Sequence, residues 1–325
     1  MSKILGIGNA LTDVLATLDN DDILHQLGLP KGGMTHIDGA TYQRIRDLFS
    51  TIPTTVSVGG SVANSCRAMA HLGMNVGFLG KVGNDSYGHL YAKSLTDVGA
   101  ENCMVVSREL PSGVCCAFIS ADGERTFADF MGASLDLNVH DVSSATLQDY
   151  QYLFLEGYLV QDHEFILNAA RMARDEGLKV MMDVASYNII MADREFSYML
   201  VRDYVDIVFA NEDEARALTG KEPEEALQEL AQMCEVAVVK VGAHGSLVKR
   251  GEEQVHVDAV QVDQVLDTTG AGDYFSAGFL CGLLGGMPLK RCAEIGSVVS
   301  AEEIQVIGTQ LTEDKWKEIK EKIAI

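Results

Sequence analysis

The chain has 325 residues, of which 47% are hydrophobic, and a formal net charge of −22 at pH 7. This length and composition are typical of a globular chain with one large α/β domain and a small accessory unit, or with two modest domains. The acidic charge excludes nucleic acid as a partner, because its phosphates need a basic surface. A nucleotide is not excluded, since its phosphates respond to local amides and helix ends.

The cysteines and the apolar segments indicate the compartment. Seven cysteines are present, without a C-x-x-C pair or a His/Cys cluster at zinc spacing. We therefore expect reduced cysteines that fill the core rather than disulfides or a structural zinc site. No apolar run reaches the length of a membrane span, and the apolar stretch after Lys3 is too short for a signal peptide. These features predict a cytoplasmic protein with no membrane partner.

The N-terminal part of the chain mixes helical and extended patterns. In chain order it predicts strands at 3–9 and 12–18, a short extended segment at 34–38, helices at 39–49 and 61–72, a strand at 75–80 and a helix at 86–98. Segments 114–119 and 125–130 flank the turn Ala121-Asp-Gly-Glu124, which predicts a β-hairpin. Because the early extended segments and this hairpin do not alternate with helices, we expect a small separate sheet.

From residue 152 onward, strands and helices alternate. The predicted elements are strands at 152–156, 179–183, 206–210 and 235–241, helices at 162–176, around 193–201 and from 212, a hairpin of 246–249 with 254–257, and helices from 271, 288 and 312. This order predicts a three-layer α/β/α domain with a central, mostly parallel sheet. We assign to the large domain residues 1–9, 39–100 and 133–325, and to a small β lid residues 10–38 and 101–132.

The segment Asp267-Thr-Thr-Gly-Ala-Gly-Asp273 carries the strongest chemical signal. Gly270, Ala271 and Gly272 form a small-residue turn that opens a helix, and main-chain amides at such a helix start bind anions. Asp273 lies in the first helical turn, where it could accept a proton from a hydroxyl that attacks a bound phosphoryl group. By itself, the same pattern also fits a tight turn with an acidic residue that complements the helix dipole.

Other nucleotide-binding motifs are incomplete. Gly6-Ile-Gly8 follows an N-terminal strand, but Leu11 stands where a dinucleotide-binding motif needs its third glycine. A Walker G-x-x-x-x-G-K-[ST] motif is absent from the sequence. A dehydrogenase is therefore disfavoured.

Four segments in the same order resemble the motifs of the PfkB/ribokinase family of carbohydrate and nucleoside kinases. They are Gly8-Asn9 followed by Asp13, Gly59-Gly60-Ser-Val-Ala-Asn64, Asn211-Glu-Asp-Glu214 and Asp267-Thr-Thr-Gly-Ala-Gly-Asp273. The resemblance extends over nearly the whole chain. It implies a ribokinase-like fold with a β-sheet lid and an ATP-dependent phosphotransferase activity.

The resemblance also implies roles for residues of the acceptor site. Asp273 corresponds to the catalytic base, and the amides of Gly270, Ala271 and Gly272 correspond to the anion hole. The implied substrate-binding residues are Asn9, Asp13, Gly59, Gly60 and Asn64. The four-residue step from Asn9 to Asp13 is similar to the adenosine-kinase branch. Ala128, Phe130 and Met131 are lid positions where contacts to a base are expected.

The nucleotide side is implied in the same way. Asn211, Lys240, Gly242 and Gly245 are expected near ATP, and Glu214 is expected to support Mg²⁺ through water, which magnesium tends to keep. An N-terminal helix cap at Asn211 is compatible with that role. Asp267 and Thr269 are implied as ligands of a monovalent cation, K⁺.

The expected function is transfer of a phosphoryl group from ATP to a hydroxyl, expected to be a primary one, of a small sugar or ribonucleoside, with an adenosine-like nucleoside favoured. The alternative is a catalytically silent regulator that binds a nucleotide or sugar on the same fold. The intact Asp273 and the intact Gly270–Gly272 turn argue against that alternative. For the assembly, we expect a monomer or a homodimer formed through the lid.

Overall fold

The computed structural model describes residues 2–324. Its strands are β1 Lys3–Ile7, β2 Leu11–Thr17, β3 Met34–His36, β4 Thr55–Val58, β5 Asn75–Leu79, β6 Lys81–Gly83, β7 Glu101–Asn102, β8 Val105–Ser107, β9 Gly113–Ile119, β10 Arg125–Phe130, β11 Tyr152–Glu156, β12 Lys179–Asp183, β13 Ile207–Asn211, β14 Val236–Lys240, β15 Ser246–Arg250 and β16 Glu253–Val257. Its helices are α1 Asp22–Leu27, α2 Gly39–Phe49, α3 Ser61–His71, α4 Ser86–Asp97, α5 Ser144–Leu147, α6 His163–Asp175, α7 Tyr187–Ala192, α8 Arg194–Tyr204, α9 Glu212–Thr219, α10 Pro223–Met233, α11 Ala271–Leu284, α12 Leu289–Glu303 and α13 Glu313–Ile323.

The large sheet is mostly parallel, as the strand–helix alternation predicts. Its order is β16-β15-β14-β13-β12-β11-β1-β5-β7, and only β15 and β16 run antiparallel to their neighbours. The strands from β11 to β14 are almost wholly apolar because helices cover both faces. One face packs against α3, α11, α12 and α13, and the other packs against α6, α8, α9 and α10. The predicted α/β/α layering is confirmed.

A five-stranded sheet of order β3-β10-β9-β2-β4 forms the small unit. The face that carries Val14, Cys116, Phe118 and Ala128 is buried against α1 and α2 in a core of its own. The predicted domain boundaries are wrong for two elements. α2 and β4 lie within residues 39–100, which were assigned to the large domain, yet they belong to the small unit. β4 pairs with β2, and Ile45 of α2 is fully buried in the small core.

The sequence prediction misses the helices α1, α5, α7 and α10 and the short strands β4, β6, β7 and β8. Helix α10 begins at Pro223, which has no N–H to lose at a helix start, and two glutamates follow in the first turn. This is a regular helix-start signal. Within residues 2–324, we find no helix with the length and apolarity required to cross a bilayer.

Candidate active site

Polar residues end five neighbouring strands of the large sheet. Glu156, Asp183, Asn211 and Lys240 are the last residues of β11, β12, β13 and β14, and Asn9 follows β1 by two positions. Because these strands are parallel, their carboxyl ends meet along one edge of the sheet. The strand order of the sheet also reverses between β1 and β11. Open α/β sheets bind ligands at such a reversal. Glu156 and Asp183 were not predicted as site residues, although each is a carboxylate at the carboxyl end of a strand whose three central residues are apolar.

A cavity of about 730 Å³ lies above this edge. It brings together most of the predicted phosphate and nucleotide residues, and its polar end is lined by Asn211, Glu214, Lys240, Gly242, Gly245, Gly270, Ala271, Gly272 and Asp273. Its apolar end is lined by Val260, Val262, Val265, Ala301 and Ile304. Residues that are separate in sequence thus form one pocket with a charged end and an apolar end.

The Gly270–Gly272 turn opens α11 at the wall of this cavity. Gly270 has φ +93°, and a Cβ on it would lie 2.7 Å from Thr309 Cγ2, so the turn requires glycine. The Ala271 N–H donates to Thr268 O at 3.2 Å. That turn bond removes Ala271 from the predicted set of free donors. The N–H groups of Gly270 and Gly272 have no acceptor within residues 2–324 and can bind an anion at the helix start.

Asp273 occupies the first turn of α11 and lines the same cavity. Its Oδ1 accepts a hydrogen bond from Ser61 Oγ at 2.7 Å, and its Oδ2 accepts one from Asn64 Nδ2 at 2.9 Å. Burial raises the pKa of Asp273 to about 7, although both hydrogen bonds favour the charged form. Asp273 is therefore held in place and has the pKa of a general base that works near neutral pH.

Ser61 and Asn64 position this carboxylate from the start of α3. Ser61 was not predicted as a site residue. Its hydroxyl meets Asp273 only in the folded chain, because the two residues are 212 positions apart in sequence. Asn64 was predicted to contact the substrate. Instead, it is buried between two partners, because its Nδ2 bonds Asp273 and its Oδ1 accepts from Arg67. We interpret Asn64 as a positioning residue for the base.

Asp13, Gly59 and Gly60 lie next to each other, as expected for an acceptor site. A Cβ on Gly59 would be 2.6 Å from Asp13 Oδ2, so the carboxylate lies directly against the backbone of Gly59. Gly60 has φ +88° and precedes α3. Burial raises the pKa of Asp13 to about 7, and the charge of Arg67 opposes this rise. The Asp13 side chain therefore changes its charge close to neutral pH.

Asn9 is buried, and Glu156 holds its side chain. Asn9 Nδ2 donates to Glu156 Oε1 at 2.9 Å, which leaves the Asn9 Oδ1 for another partner. Glu156 also accepts from the Val62 N–H at 3.2 Å and so connects β11 to α3. Burial raises the pKa of Glu156 to about 7, and the amide donors of Asn9 and Val62 oppose this rise.

Asn211 and Glu214 form the helix cap that the sequence allows. The Asn211 side chain accepts from the Glu214 N–H at 2.9 Å, and Glu214 Oε2 accepts from the Asn211 N–H at 2.7 Å. Both side chains line the cavity, and Glu214 is buried. A capped helix and a carboxylate at the phosphate end are therefore compatible. Few protein carboxylates are needed there, because Mg²⁺ binds through one or two of them together with phosphate and water oxygens.

Lys240 lies below the anion-binding turn. Its Nζ is 2.8 Å from Asp183 Oδ2, and a Cβ on Gly272 would be 2.8 Å from the same Nζ. Burial alone would lower the pKa of Lys240, but the carboxylates of Asp183 and Glu214 outweigh it and raise the pKa. Lys240 therefore stays charged and neutralises the carboxylates at the sheet edge.

Asp267 is not arranged as a free cation ligand. Its carboxylate accepts from the N–H groups of Thr269 at 3.0 Å and Gly308 at 3.1 Å, and it forms an ion pair with Arg125 at 3.2 Å. Arg125 belongs to β10 of the small sheet. The carboxylate of Asp267 is thus engaged by two main-chain amides and Arg125, and K⁺ ligation by Asp267 and Thr269 stays a prediction.

Glu303, at the end of α12, is a buried acid that the sequence did not single out. Neither of its carboxyl oxygens has a hydrogen-bond donor within residues 2–324. Burial, followed by the charges of Asp273 and Asp267, raises its pKa to about 9 from an ordinary value of 4.5. Between these two pH values the folded chain keeps a proton that the unfolded chain releases, so the free energy of unfolding falls as the pH rises.

Glu303→Gln is therefore expected to raise the free energy of unfolding by about 1–3 kcal/mol at pH 8. The gain should shrink toward zero as the pH falls to the unfolded pKa of about 4.5. Urea unfolding at several pH values measures both effects. Glu302→Gln is the matched control: its carboxylate pairs with Lys315 and Lys322, so its loss should destabilise the fold at pH 8. A Glu303→Gln chain less stable than wild type at pH 8 would contradict this assignment.

Two of the three lid positions expected to contact a base, Ala128 and Phe130, point away from the cleft. Ala128 is buried in the small core, and Phe130 stacks on Tyr42 of α2 with ring centroids 4.4 Å apart. Because successive residues of a strand face opposite sides, the cleft side of β10 carries Phe127 and Asp129 instead. The predicted face is therefore wrong for Ala128 and Phe130, whereas the contact of Met131, which follows β10, stays a prediction.

Comparison with known proteins agrees with this architecture. The sequence profile described as "pfkB family carbohydrate kinase" matches residues 45–316. Mouse ribokinase is 27% identical over 321 residues, which cover 95% of this chain and 91% of the relative. An adenosine kinase of Schizophyllum commune is 25% identical over 344 residues, which cover 98% of both chains.

Solved structures give the same result. Adenosine kinase from Sinorhizobium meliloti superposes with a TM-score of 0.86 and 32% identity over 99% of both chains. A "probable sugar kinase" from Rhizobium etli superposes with a TM-score of 0.86 and 30% identity over 100% of this chain and 99% of that one. The predicted fold class is confirmed by these superpositions.

Proposed function

Because this chain belongs to the pfkB family of carbohydrate kinases, and is thus a carbohydrate or nucleoside kinase, we propose that it transfers the γ-phosphoryl group of ATP to a hydroxyl of a ribonucleoside. One observation carries the proposal. Asp273 is held by Ser61 and Asn64 beside the free amides of Gly270 and Gly272, at the charged end of a cavity large enough for a nucleotide. A base and an anion site thus lie side by side.

In the proposed reaction, the acceptor hydroxyl lies between Asp273 and the γ-phosphate. The Asp273 carboxylate takes the hydroxyl proton as the oxygen attacks phosphorus, and the bond from phosphorus to the leaving oxygen of ADP breaks. The amides of Gly270 and Gly272 stabilise the negative charge on the transferring group. When bound, Mg²⁺ neutralises phosphate charge, and Glu214 is the carboxylate that would support it.

The two ends of the site receive different parts of the substrates. The apolar end, formed by Val260, Val262, Val265, Ala301 and Ile304, suits the adenine of ATP. On the other side of Asp273, the carboxylate of Asp13 can accept hydrogen bonds from two vicinal hydroxyls, with Gly59 and Gly60 allowing close approach of a sugar ring. The small sheet covers this side, and we propose that it acts as a lid that excludes water.

A nucleoside is favoured over a free sugar by the spacing from Asn9 to Asp13, which is similar to that of adenosine kinases. The superposed structures do not decide between the two, since they include both an adenosine kinase and a probable sugar kinase. The test is a substrate panel of adenosine, ribose, fructose and glucose with Mg·ATP, in which release of ADP is measured. We expect turnover of adenosine to exceed that of each sugar. Turnover of hexoses without turnover of adenosine would overturn the nucleoside assignment.

A further inference from the structure

The small sheet carries two aspartates on one face, in a single row across its strands. Asp13 on β2 pairs in register with Cys115 on β9, and Cys115 pairs in register with Asp129 on β10. The row continues to Ser57 on β4 beyond Asp13 and to His36 on β3 beyond Asp129. Residues paired in register point to the same face of a sheet. Asp13, Cys115 and Asp129 therefore share one face, which we call the acidic row.

The acidic row faces the acceptor site. Asp13 lies against Gly59, two positions before Ser61, which bonds the base Asp273. The opposite face of the same strands, which carries Val14, Cys116 and Ala128, is buried against α1 and α2. Asp129 must therefore point to the side where the sugar and the rest of the substrate would bind.

One carboxyl oxygen of Asp129 has no partner in this position. Its residue is 7% exposed, and its Oδ1 has no hydrogen-bond donor within residues 2–324. The groups that face it are the Cys115 thiol, the exposed His36 and, one strand further away, the Asp13 carboxylate. A buried carboxyl oxygen without a donor is costly, so Oδ1 calls for a donor that residues 2–324 do not supply.

We propose that Asp129 recognises a hydrogen-bond donor on the base of a nucleoside whose sugar hydroxyls bind Asp13. This inference rests on the proposed function and names the part of the substrate that the small sheet selects. Asp13 and Asp129 are separated by one intervening strand, so their backbones lie about 10 Å apart. That spacing suits a substrate with a second ring beyond the sugar. The donor is an exocyclic amino group or a ring N–H, both of which a carboxylate binds well.

The test compares substrates that differ only in the base. Adenosine carries an exocyclic amino group, inosine carries a ring N–H, and purine riboside has neither. We expect Asp129→Ala to lower kcat/KM by about tenfold or more for the donor-bearing nucleoside that the wild type prefers, because the donor loses its partner. The value for purine riboside should change by less than about threefold. Asp129→Asn, which keeps the shape, should give an intermediate loss.

Two controls separate this inference from other effects. Asp122→Ala, in the exposed turn of the same hairpin, should leave the substrate ratio unchanged, and thermal unfolding of each variant shows whether it is folded. An equal loss of kcat/KM on all three nucleosides overturns the role of Asp129 but leaves the kinase assignment standing. Turnover of sugars alone by the wild type also overturns it. Absence of turnover with any nucleoside or sugar would instead refute the proposed function.

Discussion

Asp273→Asn is expected to lower kcat by about 10²- to 10⁴-fold, because it removes the proton acceptor from the site. The affinity for Mg·ATP should change little, since Asp273 donates no hydrogen bond to the phosphates and the amides of Gly270 and Gly272 remain. Steady-state kinetics and nucleotide titration measure the two quantities. Asp263→Asn, an exposed aspartate that precedes the Asp267–Asp273 motif, is the matched control and should behave as wild type.

The pH profile gives an independent check on the same residue. Burial raises the pKa of Asp273 to about 7, and a base works only when it is deprotonated. The kcat/KM of the wild type should therefore rise as the pH increases through about 7. The residual activity of Asp273→Asn should not show this rise. A variant that retains nearly normal kcat would show that another group accepts the proton.

Lys240→Met is expected to lower the free energy of unfolding by about 3–5 kcal/mol. The reason is that Asp183 and Glu214, both buried, lose the cation that compensates them. The loss should be smaller at acidic pH, because burial raises the pKa of Glu214 to about 7 and this carboxylate can then take up a proton. Chemical denaturation at pH 5 and pH 8 measures the difference.

The control for Lys240 is a lysine in a similar pair on the surface. Lys179 pairs with Glu235, and both side chains are about half exposed. Exposed pairs contribute about 0–1 kcal/mol, so Lys179→Met should lower the stability by no more than that. Equal losses in the two variants would mean that the charge of Lys240 is not needed at the sheet edge.

The sequence predicts the large domain well because two independent signals agree there. Apolar strands alternate with amphipathic helices, and the Asp267–Asp273 motif lies at a helix start where glycine and acid have clear physical roles. The structure adds Glu156 and Asp183, which the rule on the carboxyl ends of parallel strands could have found. Each ends a strand whose three central residues are apolar.

The small unit was harder to predict. Strand β10 is buried or half-buried on both faces, so alternation alone does not tell which of Ala128 and Asp129 faces the cleft. The assignment of α2 and β4 depends on pairing with β2 and on a core that no local pattern reveals. Contacts such as Ser61 with Asp273 or Arg125 with Asp267 join residues 212 and 142 positions apart, and neither pair follows a local spacing rule.

The ion pair between Arg125 and Asp267 links the small sheet to the large domain. It attaches the hairpin of the small sheet to the segment that leads into the Gly270–Gly272 turn. A cation that competes with Arg125 for Asp267 would weaken this attachment, and by thermodynamic reciprocity the attached hairpin would weaken the affinity for that cation to the same degree.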